Sequence, residues 1–416
     1  MALDRSAYAR LDQALAEVDA QLARDYPGES GSRQPVHTVY VPADRFAADL
    51  PRDWSAYALA ALDEHLPDPA ALAGVLGVTE PVAAEVLPRL WVKLAAEPIE
   101  DLRIDFEDGY GARPDAEEDA AAEQAGRQLA ALGLPFSGVR CKSLEPTTRH
   151  RGVRTLDLFL AALLADRPTD PRLPPGFAIT LPKVTHARQV AAFAELCSEL
   201  ERVHDLTGGE LRFELQIETP QAILAADGTA AVAGLLRAGA GRVIGLHYGT
   251  YDYSAACGVA APYQSLAHPV ADHAKAVMQV AAAGTGVRLS DGSTNVLPVG
   301  PPEAVLAAWQ LHAGLVRRSL ERGFYQGWDL HPGQLVTRYG ATYGFYREGM
   351  PAACDRLRAY LASVAGGVLD EPATAQAMAS LLVRGLHCGA LDADEVSEAA
   401  GVPVAVLEEL FRRRVG

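Results

Sequence analysis

Eight short apolar runs, each followed by polar or glycine-rich residues and then a long alanine- and leucine-rich stretch, most limit what this chain can fold into. They are HTVYVP (37–42), DLRIDF (101–106), SGVRC (137–141), FAITLP (177–182), LRFELQI (211–217), RVIGLHY (242–248), GVRLS (286–290) and GWDLH (327–331). Between them stand stretches with helical spacing, such as AAEQAGRQLAAL, ARQVAAFAELCSEL and PPEAVLAAWQLHAGLVRRSL. Strands alternating with helices predict a parallel sheet, because parallel neighbours need a crossover connection. Eight such units with no G-x-G-x-x-G after the first strand predict an α/β closed barrel, a (β/α)8 TIM barrel, rather than a doubly wound sheet.

The expected organisation is a barrel domain over 1–365, opening with an N-terminal helical segment at 1–35, and a C-terminal helical lid or extension over 366–416. In that tail GGVLDEPATAQAMASLLVRGLHCGAL reads as one helix and DADEVSEAAGVPVAVLEELFRRR as two short ones. The last pair has the outline of a helix-turn-helix, but its acidic first helix opposes DNA binding. The whole chain has a formal charge of -16, which also argues against a nucleic-acid partner or an anionic membrane surface. No segment approaches the 18 or more uninterrupted apolar residues of a membrane span. Five cysteines scattered without CxxC spacing suit reduced thiols, so the chain is expected to be cytoplasmic.

In a TIM barrel the residues just beyond each strand's C-terminal end converge on one face. The linear scan therefore becomes a spatial expectation. The candidates are Glu107 and Asp108 after the second strand, Arg140 with Lys142 at the third, and Lys183 after the fourth. Glu218 follows the fifth, Asp252 the sixth, Asp291 the seventh and His331 the eighth. Charges at apolar strand ends are costly unless they pair or hold an ion.

YVPADR near the first strand, DFEDGYG after the second, VR at the third, LPK at the fourth, then IET, the segment around Asp252 and HPGQ form an ordered set. Together, over about 36 to 380, they resemble the HpcH/HpaI aldolase and citrate lyase beta-subunit superfamily, which includes malyl-CoA lyases. IETPQAIL followed by GLHYGTYDYS, and GFYQGWDLHPGQL, are also similar to malate synthase segments. The resemblance implies a Mg²⁺-dependent (or Mn²⁺-dependent) carbon–carbon lyase of aldol or Claisen type, with Glu218 and Asp252 on the metal. Its expected partners are a 2-oxo acid and an acyl-CoA, and its expected state is a homo-oligomer, a trimer or a multiple of one.

Chemistry and resemblance together distribute roles. Making or breaking a C–C bond beside a carbonyl passes through an enolate, and two carboxylates on a hard ion leave positions open for substrate oxygens. Glu107 and Asp108 would orient water around the ion, Arg140 would meet the substrate's anionic oxygen, and Lys183 would add positive charge. A structural ion pair and a Schiff base on Lys183 are the competing readings. A salt bridge from Arg140 to Glu107 or Asp108 is the structural alternative. His331 would help bind substrate. The resemblance makes Asp370, in GGVLDEP, the proton donor or acceptor, with Asp329 as its rival; Asp370 also suits a helix N-cap. Arg149, Arg151 and Arg154 could meet CoA phosphates or form a solvated helix face. An acyl-CoA thioesterase, a phosphoenolpyruvate- or pyruvate-using enzyme, and a non-enzymatic scaffold remain as alternative functions.

Overall fold

The computed structural model describes residues 4–165, 172–366 and 372–412. Its strands are β1 (His37–Pro42), β2 (Asp101–Asp105), β3 (Phe136–Arg140), β4 (Phe177–Leu181), β5 (Phe213–Ile217), β6 (Val243–Tyr248), β7 (Arg288–Ser290) and β8 (Gly327–Asp329). Every strand falls within or beside one of the eight apolar runs. All pairings are parallel, in the order β7-β6-β5-β4-β3-β2-β1-β8. The ring closes between β7 and β8 through a bridge of Ser290 with Gln326 and through the Asp291 N–H to the Gln326 carbonyl at 2.8 Å.

Each crossover helix presents an apolar stripe to the outside of the barrel. In Ala187–Val203 the buried residues Val190, Phe193, Ala194, Cys197, Leu200 and Glu201 recur at helical spacing. The outward strand residues that meet such stripes are apolar: Leu102, Ile104, Val139, Ile179, Phe213, Leu215 and Ile217 are all fully buried. Alternation then leaves the opposite residues facing the barrel axis, and these are largely polar. Arg103 reaches Glu214 at 2.8 and 3.2 Å and also bonds Asp101, whose other oxygen accepts from Thr38 at 2.7 Å. His247 Nε2 lies 3.3 Å from the same Glu214. Burial opposes the charge on Glu214, but Arg103 and His247 outweigh it and hold the carboxyl well below its usual range. The interior is therefore an ionic column running up to the mouth.

The helix Gln334–Gly366 carries the C-terminal extension, whose helices are Pro372–Cys388, Ala393–Ala400 and Val404–Arg412. Tyr343 donates to the Cys388 carbonyl at 2.9 Å and Arg347 to the Ala390 carbonyl at 2.8 Å. Arg384 donates to Gln34, just ahead of β1, at 2.9 Å. These described helices therefore meet the barrel at the N-terminal end of its strands, away from its own mouth. Asp370 lies outside the described residues. The N-terminal helix runs over Arg5–Asp25, shorter than the 1–35 segment expected, and buries none of its side chains. Among the described residues no single helix is long and apolar enough to cross a membrane.

Candidate active site at the barrel mouth

The inward phase of β2 continues past its end. Asp101, Arg103, Asp105 and Glu107 succeed one another two residues apart, and the chain then turns through Asp108 and Gly109. Asp105 accepts the Glu107 N–H at 2.9 Å and the Gly109 N–H at 3.0 Å, so one carboxylate fixes the loop. A side chain at position 109 would put its Cβ 2.5 Å from the Asp105 carboxylate, so glycine is required there. From below the loop, Lys142 donates to the carbonyls of Phe106 (2.7 Å) and Gly111 (3.2 Å) and to Glu118 (2.7 Å). Lys142 is thus a loop anchor rather than a mouth cation.

Arg140 makes the expected ion pair with Glu107 but binds another carboxylate more closely. It forms a two-pronged bond to Asp105, with Nε and Nη2 each at 2.7 Å, while Glu107 is 3.6 Å away. The reason is register: Arg140 and Asp105 are partners across β2 and β3, both facing the axis. Its Nη1 donates to Gln216 at 3.0 Å, and its guanidinium lies 4.9 Å from the centre of the Tyr40 ring. Burial disfavours the charge, but Asp105 and Glu107 more than offset it, so Arg140 stays cationic.

Gln216 passes the connection upward by donating to Glu218, which is also bonded by the Lys183 N–H at 2.7 Å. Lys183 adopts a left-handed backbone with φ of 51°, which strains a residue bearing a Cβ. That bend turns its N–H onto Glu218 and sends its side chain across the mouth. The following turn is pinned by the Gln189 side chain, which accepts the N–H groups of Thr185 (2.9 Å) and His186 (3.1 Å). Glu218 also presses on β6, where a Cβ at position 249 would stand 2.4 Å from the Glu218 Cβ, so Gly249 gives it room.

The Lys183 ammonium bonds Glu107, lies 2.6 Å from Asp108 and 3.2 Å from Asp252. Asp252 sits in the first turn of the short helix Thr250–Ala256 and is partly exposed. Five charged residues from the ends of β2, β4, β5 and β6 therefore meet above Arg140, four acids around one ammonium. Burial pushes the Glu218 carboxyl up to about 8; Lys183 opposes this and Glu107 adds to it. Burial also raises Glu107, against the pull of Arg140 and Lys183. Asp108, where burial is outweighed by Lys183, is lowered instead. The buried side of the cluster is short of positive charge.

Other strand-end candidates separate from this group. Asp291 is buried against Lys275 at 2.9 Å and Ser319 at 2.6 Å. Asp329 is fully buried on the outward side of β8, facing Arg338 (3.0 Å), His37 (2.8 Å) and His312 (3.2 Å). Burial opposes its charge, but Arg338, His312 and His37 hold it well below the carboxylate range. So placed, Asp329 does not reach a substrate at the mouth. His331 is half-buried, accepts the Gly333 N–H at 3.1 Å, and packs edge-on to Tyr57 at 5.0 Å. Arg151 and Arg154 clamp Asp119 of the preceding helix at 2.5 and 2.7 Å. Sequence reasoning missed Asp105 and Gln216, although the two-residue repeats DLRIDFE and ELQIE carry both.

A family model described as "Domain of unknown function (DUF6986)" matches residues 15–415. No curated protein sequence matches the chain. Among solved structures it is similar to a citrate lyase from Burkholderia xenovorans LB400, with 18% identity, 88% of this chain and 97% of that one covered, and a TM-score of 0.56. It is also similar to a malate synthase from Haloferax volcanii (17% identity, 90% and 98% covered, TM-score 0.49). A third is an HpcH/HpaI aldolase/citrate lyase family protein from Burkholderia cenocepacia J2315 (14% identity, 77% and 95% covered, TM-score 0.40). At these identities the first likeness is one of fold, and it agrees with the barrel expected from sequence.

Proposed function

The chain belongs to the DUF6986 family, and from the geometry of its barrel mouth we propose that it is a divalent-metal-dependent carbon–carbon lyase acting through an enolate. Its substrate would be a hydroxyacyl-CoA or a hydroxy-oxo acid, giving a 2-oxo acid. The observation that carries the reading is the meeting of Glu107, Asp108, Lys183, Glu218 and Asp252 over a buried Arg140. The fold shared with a citrate lyase supports the reaction class.

The donor set suits a hard ion. Among the described residues no group of three or more His, Cys, Asp and Glu side chains is placed to hold a metal. A closed zinc-type cage is therefore a poor fit, whereas Mg²⁺ takes one or two carboxylates and leaves its other positions to water and substrate oxygens. Glu218 and Asp252 would hold it, and Glu218, buried and short of positive charge, has the most to gain. Bound there, the ion would draw electron density from a 2-oxo acid's carbonyl.

The chain's own groups supply the rest. Arg140, kept charged and oriented by Asp105 and Gln216, stands beneath the cluster as a fixed positive charge toward developing oxyanions. Glu107 and Asp108 would accept hydrogen bonds from water at the mouth, and Lys183 balances their charge. Because that ammonium already faces three carboxylates, it stays protonated, which disfavours a Schiff-base role. The test is a screen of Mg²⁺-loaded protein against hydroxy acids and hydroxyacyl-CoAs, with products read by mass. A 2-oxo acid product that needs both Mg²⁺ and Glu218 is the expected result. Free thiol release without C–C cleavage would instead indicate a thioesterase.

A further inference from the structure

The strand ring is thinnest where β7 meets β8, which share no ladder and close through an isolated bridge. Beneath that seam, at the N-terminal foot of the barrel, lies a cavity of about 180 Å³ whose polar lining includes Glu29, Gln34, Arg288, Tyr325 and Arg384. Gly284 and Gly286, left-handed with φ of 75° and 76°, carry the chain around its edge into β7.

Register aims Arg288 at this cavity. It stands beside Gly245 as Ser290 stands beside His247, so it shares the inward phase of β6 and β7. Its guanidinium spans the foot of the barrel to lie 5.7 Å from the centre of the Phe136 ring, at the start of β3. Nη2 donates to the Ser32 hydroxyl at 2.8 Å and to the Arg33 carbonyl at 2.7 Å. Both acceptors are neutral, and among the described residues no carboxylate forms an ion pair with Arg288. Burial holds the guanidinium below its usual pKa; Glu214 and Asp101 in the column above favour the charge, and Arg384 opposes it.

Arg384 enters from the C-terminal extension. Its Nη1 donates to Gln34 at 2.9 Å and its Nε to Ser380 at 3.3 Å. The rings of Tyr325 and Phe411 lie 4.3 and 5.3 Å from its guanidinium, which is thereby fixed in place. Nη2 points toward Glu29 at 3.6 Å, too far for a hydrogen bond, and that carboxylate is half in solvent. Two guanidiniums drawn to one small cavity repel each other, a cost that an entering anion reverses. Their planar forks match the oxygens of a carboxylate or a phosphate. The volume admits a phosphate or a short carboxylate and is too small for a nucleotide.

We infer that the foot of the barrel is a binding site for a small oxyanion, a phosphate or a short carboxylate, held between Arg288 and Arg384. Its two cations come from β7 and from the C-terminal extension, so a bound anion ties the thin seam to the helices below it. The mouth is a separate place: without a metal, its four acids around one ammonium oppose an anion.

The experiment titrates inorganic phosphate, and separately succinate, into the full chain by calorimetry in metal-free chloride buffer of constant ionic strength. At least one should bind one-to-one and raise the melting temperature, and which one does so assigns the ligand to phosphates or to carboxylates. Arg288→Gln and Arg384→Gln should each weaken binding about tenfold or more, the scale of a lost charge-assisted hydrogen bond. Arg288→Lys keeps the charge beneath Glu214 and Asp101 but loses the fork; it should also weaken binding, and it serves if Arg288→Gln does not fold. Glu107→Gln, at the mouth, should leave the affinity unchanged. Binding of neither anion by the wild type would overturn the inference, as would an affinity that a folded Arg288 variant leaves intact. A Glu107→Gln variant that shifts the affinity as much as the Arg288 variants do would place the anion at the mouth and overturn it as well.

Discussion

Two sets of strand-end acids occupy this barrel and differ in everything but their place in the chain. Those after β2, β5 and β6 keep the inward phase or turn over the mouth, share one lysine, and include a carboxyl raised to about 8. Those at β7 and β8 point into helices, and each has cations of its own. The lesson is that a charged residue at a strand end is only half a signal. Which side of the strand it faces decides whether it reaches the mouth or pairs with the surrounding helices.

The sharpest way to break this comparison is at Asp329. Replacing it by asparagine strands Arg338 in the interior and should cost about 3–5 kcal/mol of stability, read as a lower denaturant midpoint. The sign with pH follows from its depressed pKa. The contribution is present above the unfolded value of about 4 and disappears as pH falls through the folded value. The gap between wild type and Asp329→Asn should therefore hold near neutrality and narrow only in acid. A gap that closed between pH 8 and 6 would contradict the assignment.

Glu218→Gln should do the opposite. Lyase turnover should drop about 10²–10³-fold, the scale of losing one preorganised charge contact, while the melting temperature holds or rises. A lowered melting temperature with intact turnover would place Glu218 with the architectural acids. Lys142→Met probes the boundary between the sets, since it removes the anchor beneath Glu107 and leaves Glu118 with only Thr155 and Arg151; a loss of about 2 kcal/mol is expected, with a smaller fall in turnover. Arg154→Ala should be the quietest, with no measurable change in melting temperature or turnover, because it sits on an exposed helix–helix clamp.

The barrel was legible because its signal is local and repeated: each strand is a short apolar run with a helix-length gap before the next. The mouth set was legible for a related reason, since the strand ends of β2, β4, β5 and β6 carry their charges in plain view. What the scan passed over was alternation inside the strands. Asp105 and Gln216 are polar residues within apolar runs, visible in the two-residue period but not at strand ends. The same omission grouped Asp291 with the mouth residues and kept Asp329 as a candidate. The seat of the C-terminal helices could not be read, because it depends on long-range contacts such as Arg384 with Gln34, which leave no local pattern.

The ionic column inside the barrel has an evolutionary consequence. Arg103 on β2 serves Glu214 on β5, and Arg140 on β3 serves both Asp105 on β2 and Gln216 on β5. A lone change in any of these strands leaves a buried partner exposed to the full cost of its charge, whereas matched changes do not. β2, β3 and β5 should therefore drift as one inherited block. Substitutions such as Arg103→Met and Glu214→Leu should each be harmful alone and milder together.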